Sequence, residues 1–296
     1  MNLRRAQSGV ALVMVLWILL LVTISTGAYT LMARMDQLEA HTVLWGTRAR
    51  LAAEAGLNMA VLSLRDPNEE QRWIADGRPY ALVYDDARIE VQVTDERGKL
   101  NINKANEETL ARLFVSNGLE EQDAAVLAAS VLDWTDEDNM VRPNGAEDEE
   151  YLSAGYQAGP ANRAFIMVEE MLQVLGLSWE LFEKMEPGLT VSSDGGLPDP
   201  AFAPVEALLA LPDITAEDAL NFVEERHSQE GNTGPALSLP NGQVAVARGP
   251  GLTYSIVSRA TLPNGVWDQV GATISLGGNR NGLPFRILRW QEGFHH

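Results

Sequence analysis

One uninterrupted apolar stretch constrains this chain more than any other feature. Residues 10–33 contain no charged side chain over 24 positions, and about 20 apolar residues in a helix are enough to cross a bilayer. The stretch is longer than the hydrophobic core of a secretory signal peptide, which has roughly 7–15 residues before a small-residue cleavage site. We therefore predict a membrane-spanning helix over 10–33 that anchors the rest of the chain.

A short basic leader precedes the apolar stretch. It carries Arg4 and Arg5, and Gly9 stands directly at its junction with Val10. An uncleaved signal anchor explains this hydropathy equally well. A glycine at this position resembles the class III leader of type IV pilins and pseudopilins, which prepilin peptidase trims after the glycine. The resemblance implies a leader over 1–9 and a mature chain that starts at Val10. The leader arginines predict a cytoplasmic N-terminus with the bulk of the chain outside.

Helical patterning continues beyond the apolar stretch. No proline occurs between Arg34 and Arg65, and Asp66-Pro67 is a plausible stop because proline disfavours helix at the preceding residue. Apolar residues recur at helical spacing along one face: Leu44, Leu51, Ala55, Met59 and Leu62. We predict a spine helix over 10–65 that packs on a head domain in its second half. An anchor followed by a separate helix is the alternative.

Strand patterns lie on both sides of a helical block. Alternating apolar and polar residues predict five strands: Tyr80–Tyr84, Arg88–Thr94, Thr253–Leu262, Val266–Leu276 and Pro284–Trp290. The predicted joints are Asp85-Asp86, Pro263-Asn264-Gly265 and Gly277–Gly282. We predict an α+β fold in which an antiparallel head, 66–99 and 241–296, is interrupted by a helical domain over 100–240.

The helical block is internally repetitive. Three segments, starting at Thr109, Val168 and Val205, share a helix, a short turn with an apolar residue, and a second helix. This pattern is typical of helix-hairpin-helix and SAM-like domains. Residues 100–240 carry 27 acidic and 6 basic side chains, whereas the remainder carries 14 and 16. This acidity argues against nucleic-acid binding, because phosphates would be repelled. The chain has no cysteine, which excludes disulfides and cysteine-based metal sites.

The most acidic segment contains eight carboxylates within residues 133–150, with Arg142 as the only cation. Carboxylates crowd together only when they are solvated, protonated or metal-bound. Ca²⁺ suits such a set because it takes 6–8 oxygen ligands. The segment is not an EF-hand, because Met140 occupies the third ligand position. A solvated acidic loop is the alternative, although Trp134 and Tyr151 favour an ordered loop with its ends pinned.

These residues resemble the K-type minor pseudopilins of type II secretion systems. The resemblance rests on Asp133-Trp-x-Asp136-x-Asp138 and Gly145-Ala-Glu-Asp148-x-x-Tyr151. It is supported by Lys99-Leu-Asn101-Ile-Asn103 and by Asn162-Arg-Ala-Phe165 followed by Glu169-Glu-Met and Leu175-Gly176. The order of leader, spine, strands, inserted helices and strands agrees over nearly the whole chain.

The resemblance implies a fold, a place and a role. The fold is a pilin-like head with an inserted helical domain. The place is the inner membrane and periplasm, at the tip of a short pseudopilus. The implied partners are the I-type and J-type minor pseudopilins, the major pseudopilin, prepilin peptidase and the inner-membrane secretion platform. Family members bind calcium in the acidic loop, and the matching candidate ligands are Asp133, Asp136, Asp138, Glu147, Asp148 and Glu150.

The fifth residue of the mature chain would be Met14. Ordinary pilins and major pseudopilins carry glutamate there, and K-type members resemble this chain in lacking it. A buried carboxylate is costly without a partner, and a tip subunit has no subunit above it to supply one. Met14 is therefore expected to mark a subunit that caps the fibre.

Two other functions share some of these features. A minor pilin of a type IV pilus or a DNA-uptake machine would share the leader and spine but would lack the inserted acidic domain. A membrane-anchored carboxylate-dependent hydrolase could use paired carboxylates as acid and base. The four histidines form no metal or nucleophile motif, and we predict that the chain is not an enzyme.

Overall fold

The computed structural model describes residues 8–229, 236–246, 249–277 and 284–293. The predicted leader arginines and most of the joint Gly277–Gly282 lie outside these ranges. The helices are α1 (Ser8–Leu64), α2 (Glu107–Ser116), α3 (Glu121–Thr135), α4 (Asp148–Ser153), α5 (Trp179–Met185), α6 (Val205–Leu208) and α7 (Ala216–Ser228). The strands are β1 (Asp76–Tyr84), β2 (Ala87–Asp95), β3 (Leu100–Asn101), β4 (Leu189–Thr190), β5 (Leu237–Ser238), β6 (Val244–Ala245), β7 (Thr253–Thr261), β8 (Trp267–Ser275) and β9 (Arg286–Glu292).

Helix α1 is one continuous element of 57 residues, which is about 85 Å at the helical rise. It is long and apolar enough to cross a membrane. Its side chains are exposed from Val10 to Leu44, and burial begins around Trp45 and Ala49. The helix ends at Leu64, just before the predicted stop at Asp66-Pro67. The alternative of an anchor followed by a separate helix is therefore wrong.

Five strands form one antiparallel sheet in the order β1-β2-β7-β8-β9. All five predicted strands are present, with ends that differ by a few residues. β1 begins at Asp76 rather than at Tyr80. The β1–β2 turn is Asp85-Asp86, as predicted, and Asp85 has a positive φ of 56°. Because β2 and β7 are neighbours, the chain leaves the sheet after β2 and returns to its centre at β7.

Small residues make the contact between α1 and the sheet. The buried face of α1 consists of Ala49, Ala52, Ala53, Gly56, Leu57, Ala60, Val61 and Leu64. At Gly56 the helix approaches so closely that an added Cβ would overlap the Ser258 hydroxyl oxygen and Cγ2 of Ile89. Backbones can come this near only where side chains are minimal.

The predicted packing face of the spine is therefore wrong. Leu44, Leu51 and Leu62 are 58%, 58% and 75% exposed. These residues, with Ala55 and Met59, lie on the side of α1 that points away from the sheet. The predicted helical period is correct, but the large side chains do not form the packing face. The close helix–sheet distance instead selects alanine and glycine.

The helical block between β2 and β7 has its own hydrophobic cluster, which is separate from the cluster between α1 and the sheet. The three predicted hairpins are present as α2–α3, a 3₁₀ turn (Val168–Gln173) followed by α5, and α6–α7. The second hairpin departs from the prediction because its first member is a 3₁₀ turn. The third hairpin is irregular too, because α6 has only four residues.

The three hairpin turns share one geometry. Each contains a residue with positive φ, namely Gly118 (103°), Gly176 (93°) and Asp213 (56°). Each is followed by an apolar residue packed on the cluster, Leu119, Leu177 or Ile214, and then by the residue that precedes the next helix. Ser178 and Thr215 cap α5 and α7 with their side chains. The repeat seen in the sequence thus corresponds to a repeated backbone conformation.

Buried charges join the helical block to the sheet. Asp76 has a fully buried side chain that contacts Arg78 at 2.9 Å and Arg226 of α7 at 3.4 Å. Glu96 contacts Lys99 at 2.9 Å and accepts hydrogen bonds from Thr190 and Ser255. Removing one partner of such a pair leaves an uncompensated buried charge. These contacts hold the two clusters together where the chain crosses between them.

The end of the helical block lies further along the chain than the predicted boundary at 240. Leu237, Leu239 and Ala245 pack with the helical cluster, although the prediction assigns residues 241–296 to the head. β5 and β6 form a small antiparallel pair on that cluster. The strands of the main sheet resume at Thr253.

The close contact at Gly56 yields a stability prediction. Gly56→Ala is expected to destabilise the protein by about 1–3 kcal/mol, because the added methyl group forces α1 away from β2 and β7. The matched control is Gly46→Ala, where an added Cβ has nothing within 4 Å. That control should be neutral or stabilising by up to about 1 kcal/mol. Thermal melts of the full-length chain in detergent measure both, and equal melting temperatures for the two variants would contradict the packing described.

Candidate metal centre

The acidic segment begins in the last turn of α3. Asp133 lies in that turn and is completely buried, and Asp136 is the residue immediately after the helix. The loop then runs through residues 137–146 to α4, which starts at Asp148. Apolar residues place Asp133, because Ala129, Val131 and Trp134 around it on α3 are buried. The helix therefore carries a carboxylate into the edge of its own core.

Arg142 folds back from the loop onto this helix end. Its Nε lies 3.0 Å from Asp133 Oδ1 and its Nη2 lies 2.8 Å from Asp136 Oδ2. Its backbone N–H also donates to Asp133 Oδ2 at 3.2 Å. One residue thus contacts the two carboxylates through three groups. Its side chain remains 42% exposed.

Glu147 is the least compensated carboxylate of the segment. It is 3% exposed, and neither of its oxygens has a hydrogen-bond partner among the described residues. Its side chain faces the start of α4, as in a capping box, without reaching hydrogen-bond geometry to it. Burial raises the pKa of Glu147 from 4.5 to about 7, and the carboxylates of Asp133, Asp136, Asp148 and Asp138 contribute to this rise. Several of the predicted ligands therefore lie near enough to Glu147 to disfavour its charged form.

The Asp133 carboxylate is also buried, and it is better compensated than that of Glu147. Burial raises its pKa, and the neighbouring Asp136 carboxylate adds to the shift. The backbone N–H and the guanidinium of Arg142 act in the opposite direction. Asp136 keeps one buried oxygen, Oδ1, without a hydrogen-bond partner in the described structure. Buried carboxylate oxygens without hydrogen-bond partners destabilise the folded state. A bound cation would compensate them.

The other three predicted ligands differ in their surroundings. Asp138 and Asp148 are exposed, at the rim of the buried group. Asp138 accepts the Met140 backbone N–H at 2.8 Å. Glu150 accepts the Glu147 backbone N–H at 3.0 Å and thereby caps α4. Its carboxylate is partly used, which makes it the weakest of the six candidates.

Buried aromatic side chains pack together at the base of the loop, where it joins α3 and α4. Trp134 and Tyr151 are 4% and 1% exposed. Trp134 stacks on Phe165 with ring centroids 6.0 Å apart, and its ring lies 6.2 Å from that of Tyr151. The Tyr151 hydroxyl oxygen accepts the Leu175 backbone N–H at 2.9 Å. Buried aromatic residues thus lie at the two ends of the loop, as the sequence predicts.

Sequence reasoning missed two asparagines of the site. Asn162 donates to Asn139 Oδ1 at 2.9 Å, and Asn139 approaches Asp148 Oδ2 at 3.4 Å. Asn162 has a positive φ of 48° and a buried amide oxygen without a hydrogen-bond partner within the described ranges. Amide oxygens are calcium ligands as well as carboxylates. The position of Asn139 inside the acidic run was the available signal.

The motif asparagines before the acidic segment link to the stretch that carries Phe165. Asn103 exchanges two hydrogen bonds with the Phe165 backbone, at 2.9 and 2.8 Å. Asn101 is buried, and its amide oxygen accepts the Asn103 backbone N–H at 2.9 Å. These pieces, distant in the sequence, therefore form one structural unit.

The residues fit a hard cation, although they do not form a ready-made centre. Within the described ranges, no three acidic or histidine side chains are gathered into a metal-binding group. The Arg142 guanidinium lies between two of the candidates, and Glu150 serves as a helix cap. The buried oxygens of Asp133, Asp136 and Glu147 nevertheless have the chemistry that calcium requires. Gly145 leaves room for the Asp133 carboxylate, because a Cβ at position 145 would overlap it.

Comparison with known proteins shows which family this chain resembles. Residues 82–194, which include the whole acidic segment, match the family model for protein K of the type II secretion system. The type II secretion system protein K of Klebsiella pneumoniae is 32% identical over 64% of this chain and 64% of its own length, just under two thirds. That of Pseudomonas aeruginosa is 26% identical over 98% of this chain and 91% of its own length.

The chain is similar to the K-type minor pseudopilins of type II secretion systems.

The fold agrees with this similarity. A chain in the structure of the GspK-GspI-GspJ complex from enterotoxigenic Escherichia coli has a TM-score of 0.55 to this one. The two are 19% identical, and the likeness covers 89% of this chain and 99% of that one. The K family is a structural component of secretion rather than an enzyme family. The long N-terminal helix with a mixed helical and antiparallel head is thus a shared architecture.

The environment of Glu147 predicts a pH dependence. Its folded pKa of about 7 lies above its ordinary 4.5. Its contribution to stability is therefore fully present below about pH 4.5 and is lost as the pH rises through 7. In chelator, the melting temperature of Glu147→Gln should fall less than that of the wild type when the pH is raised from 5 to 8. At pH 8 the variant should be more stable by about 1–3 kcal/mol.

The matched control for this measurement is Glu149→Gln, which neutralises an exposed neighbour. Its pH profile should follow that of the wild type. A Glu147→Gln profile parallel to that of the wild type would show that burial does not raise the pKa of the Glu147 carboxylate.

Proposed function

We propose that this K-family pseudopilin caps the tip of the pseudopilus together with the I-type and J-type minor pseudopilins, and that it nucleates the fibre during protein export. The similar structure from enterotoxigenic Escherichia coli is that of a complex of GspK with GspI and GspJ. The features of this chain that support the same role here are its spine, its fifth mature residue and its acidic inserted segment.

One observation carries the proposal, namely the apolar stripe on α1 formed by Leu44, Leu51, Ala55, Met59 and Leu62. It lies on the side of the helix opposite the sheet, and its leucines are more than half exposed. The exposed apolar surface of residues 10–33 lies N-terminal to it on the same helix. Large exposed apolar surfaces mark membrane or protein contacts. Below the head the membrane covers α1, and beside the head a partner's helix is the natural occupant of the stripe.

The N-terminus supports a pseudopilin that starts at Val10. α1 begins at Ser8, so removal of residues 1–9 takes only two residues from the helix. Mass spectrometry of the mature protein tests this, and a chain that still begins at Met1 would overturn the processing. Met14 then stands fifth, where a subunit within the shaft would need a carboxylate for its neighbour's amine. A Met14→Glu variant that assembled throughout the fibre would remove this support.

The orientation follows from charge. Arg4 and Arg5 precede the span, and the positive-inside rule puts them in the cytoplasm. The protein is then a single-pass inner-membrane protein whose head lies in the periplasm. Protease protection in spheroplasts tests this, because the head should be digested from outside. The other proposed partners are the major pseudopilin, prepilin peptidase and the inner-membrane secretion platform.

The acidic segment is the proposed calcium site. Asp133, Asp136 and Glu147 would supply buried oxygens, and Asp138 and Asp148 would complete the set from the rim. Glu150 would contribute only if it gave up its role as a helix cap. Bound calcium would neutralise a group of carboxylates that otherwise repel one another. It would thereby lock the loop between α3 and α4, without taking part in any reaction.

The inserted block, predicted over 100–240, is proposed to be a SAM-like domain. The support is the repeated turn geometry at Gly118, Gly176 and Asp213. In a DNA-binding version such turns would face phosphates with basic residues. Here the turns are followed by Glu120, Glu121 and Glu217. We assign the block to packing or partner contacts, and the absence of a mobility shift with DNA at low salt is the expected result.

The two alternative functions lack a supporting observation. A pilus or DNA-uptake pilin would not require the acidic insert, and the family match lies on that insert. A carboxylate-dependent hydrolase would need paired carboxylates in an open cleft, whereas Asp133 and Glu147 are buried. The second alternative would return if the purified chain hydrolysed glycosides or phosphoesters.

The stripe predicts a separation of assembly from stability. Leu51→Glu should reduce co-purification with the I-type and J-type partners at least roughly tenfold, because a charge is buried in the contact. Its melting temperature should stay near that of the wild type, since Leu51 does not contact the head core. The matched control is Val83→Glu, which charges an equally apolar side chain that is 75% exposed on β1. Loss of co-purification in both variants, or in neither, would contradict the role of the stripe.

Calcium binding is predicted to stabilise the protein. Calcium at 100 times its Kd adds about 2.7 kcal/mol to the unfolding free energy, so millimolar calcium should raise the melting temperature by several degrees. The double substitution Asp136→Ala and Asp138→Ala should abolish this shift. Glu107→Ala with Glu108→Ala, which removes two acidic residues from the start of α2, is the control and should retain it. No shift for the wild type would refute the site.

A further inference from the structure

The arginine within the acidic segment is not explained by a calcium site. Arg142 is the only cation between Arg112 and Arg163 in the sequence. Its guanidinium lies between Asp133 and Asp136, at 3.0 and 2.8 Å from their oxygens. These two carboxylates are also central candidates for holding the metal. The same oxygens cannot hold a guanidinium at hydrogen-bond distance and a divalent cation at about 2.4 Å.

We propose that Arg142 is a tethered counter-cation that occupies the calcium site and sets its affinity by competition. The inference rests on the proposed calcium site. When the metal binds, the guanidinium leaves Asp133 and Asp136 for solvent; when the metal leaves, it returns. Arg142 is thus a residue that tunes metal affinity and is not itself a ligand.

The geometry permits this exchange. The Arg142 side chain is 42% exposed, so it can leave the carboxylates without disrupting a core. Its backbone N–H, which donates to Asp133 Oδ2 at 3.2 Å, can stay in place and hold Asp133 oriented. Arginine suits the task, because its planar fork reaches two carboxylates at once, whereas a lysine ammonium acts at one point.

The unpaired oxygens show that one guanidinium does not satisfy the site. Glu147 is 3% exposed, and among the described residues its two oxygens have no hydrogen-bond partner. Arg142 contacts Asp133 and Asp136 and leaves this third buried carboxylate uncompensated. A divalent cation offers twice the charge and room for more ligands. The competition is therefore biased toward calcium once calcium is abundant, and Arg142 keeps the loop folded when it is scarce.

The test compares calcium affinity and stability in three full-length variants in detergent. Arg142→Gln should bind calcium roughly fivefold more tightly than the wild type by calorimetry, because an ion pair worth about 1 kcal/mol no longer competes. In chelator its melting temperature should be lower than that of the wild type. In saturating calcium the two melts should converge, because the wild-type Arg142 has then left the carboxylates as well.

Arg163→Gln is the matched control. Arg163 pairs with Glu170 at 3.0 Å, in the neighbouring loop, and its removal changes the net charge by the same amount. If affinity rises only through long-range charge, both variants will gain equally, and the proposal is overturned. Arg142→Lys is the second variant, in case Arg142→Gln does not fold. It should show an affinity between those of the wild type and Arg142→Gln.

The outcomes separate this inference from the calcium site itself. If the wild type binds calcium and Arg142→Gln binds no more tightly, the metal site stands and the competition is refuted. If only Arg142→Gln binds, calcium does not displace the arginine from the wild-type carboxylates, and the proposed exchange is overturned. If no variant binds, the proposed metal site fails and the inference fails with it.

Discussion

The close approach of α1 to the sheet is the contact on which the rest of the structure depends. Gly56 and its neighbouring alanines allow the helix backbone to lie directly on β2 and β7. Because the small residues are used on this side, the large apolar residues of the same turns are left on the other. One constraint therefore fixes the head on the spine and at the same time exposes the stripe that we propose for assembly. The apolar span of residues 10–33 and the stripe lie on the same helix, separated by a mixed segment that contains Arg34, Asp36 and Glu39.

The second constraint is the amount of negative charge placed in the inserted block. Asp133 and Glu147 are buried with incomplete hydrogen bonding, which would be destabilising in an isolated structural loop. Trp134, Tyr151 and Phe165 nevertheless hold this loop in a defined conformation. A well-supported scaffold with unsatisfied carboxylates is the combination that the proposed cation site requires. Arg142 supplies part of the missing positive charge from within the chain.

Much of the fold could be predicted from the sequence, for identifiable reasons. Period-two alternation in Arg88–Thr94 and Thr253–Leu262 reports one-sided burial, and it located β2 and β7 to within a residue. The packing face of α1 could not be predicted from hydrophobicity, because a close helix–sheet contact selects for small side chains rather than apolar ones. The 3₁₀ turn at Val168–Gln173 could not be told from a helix, since both present apolar residues at similar spacing.

The candidate site was predictable in part. The acidic residues and the pinning role of Trp134 and Tyr151 follow from residue type and position. Which carboxylates are buried does not, because Asp138 and Glu147 look alike in the sequence. The pairing of Arg142 with Asp133 and Asp136 depends on how the loop folds back. So does the link between Asn139 and Asn162, which are 23 residues apart.

Cysteine scanning along α1 tests the central claim most directly, because the chain has no cysteine of its own. Single cysteines at positions 44 to 62 would be oxidised against cysteines on the spines of the I-type and J-type partners in assembled membranes. The account predicts crosslinks at positions 44, 51, 55 and 62 and none at 53, 56 and 60, which face the sheet. Crosslinks of equal yield around the helix, or crosslinks confined to the head, would contradict it.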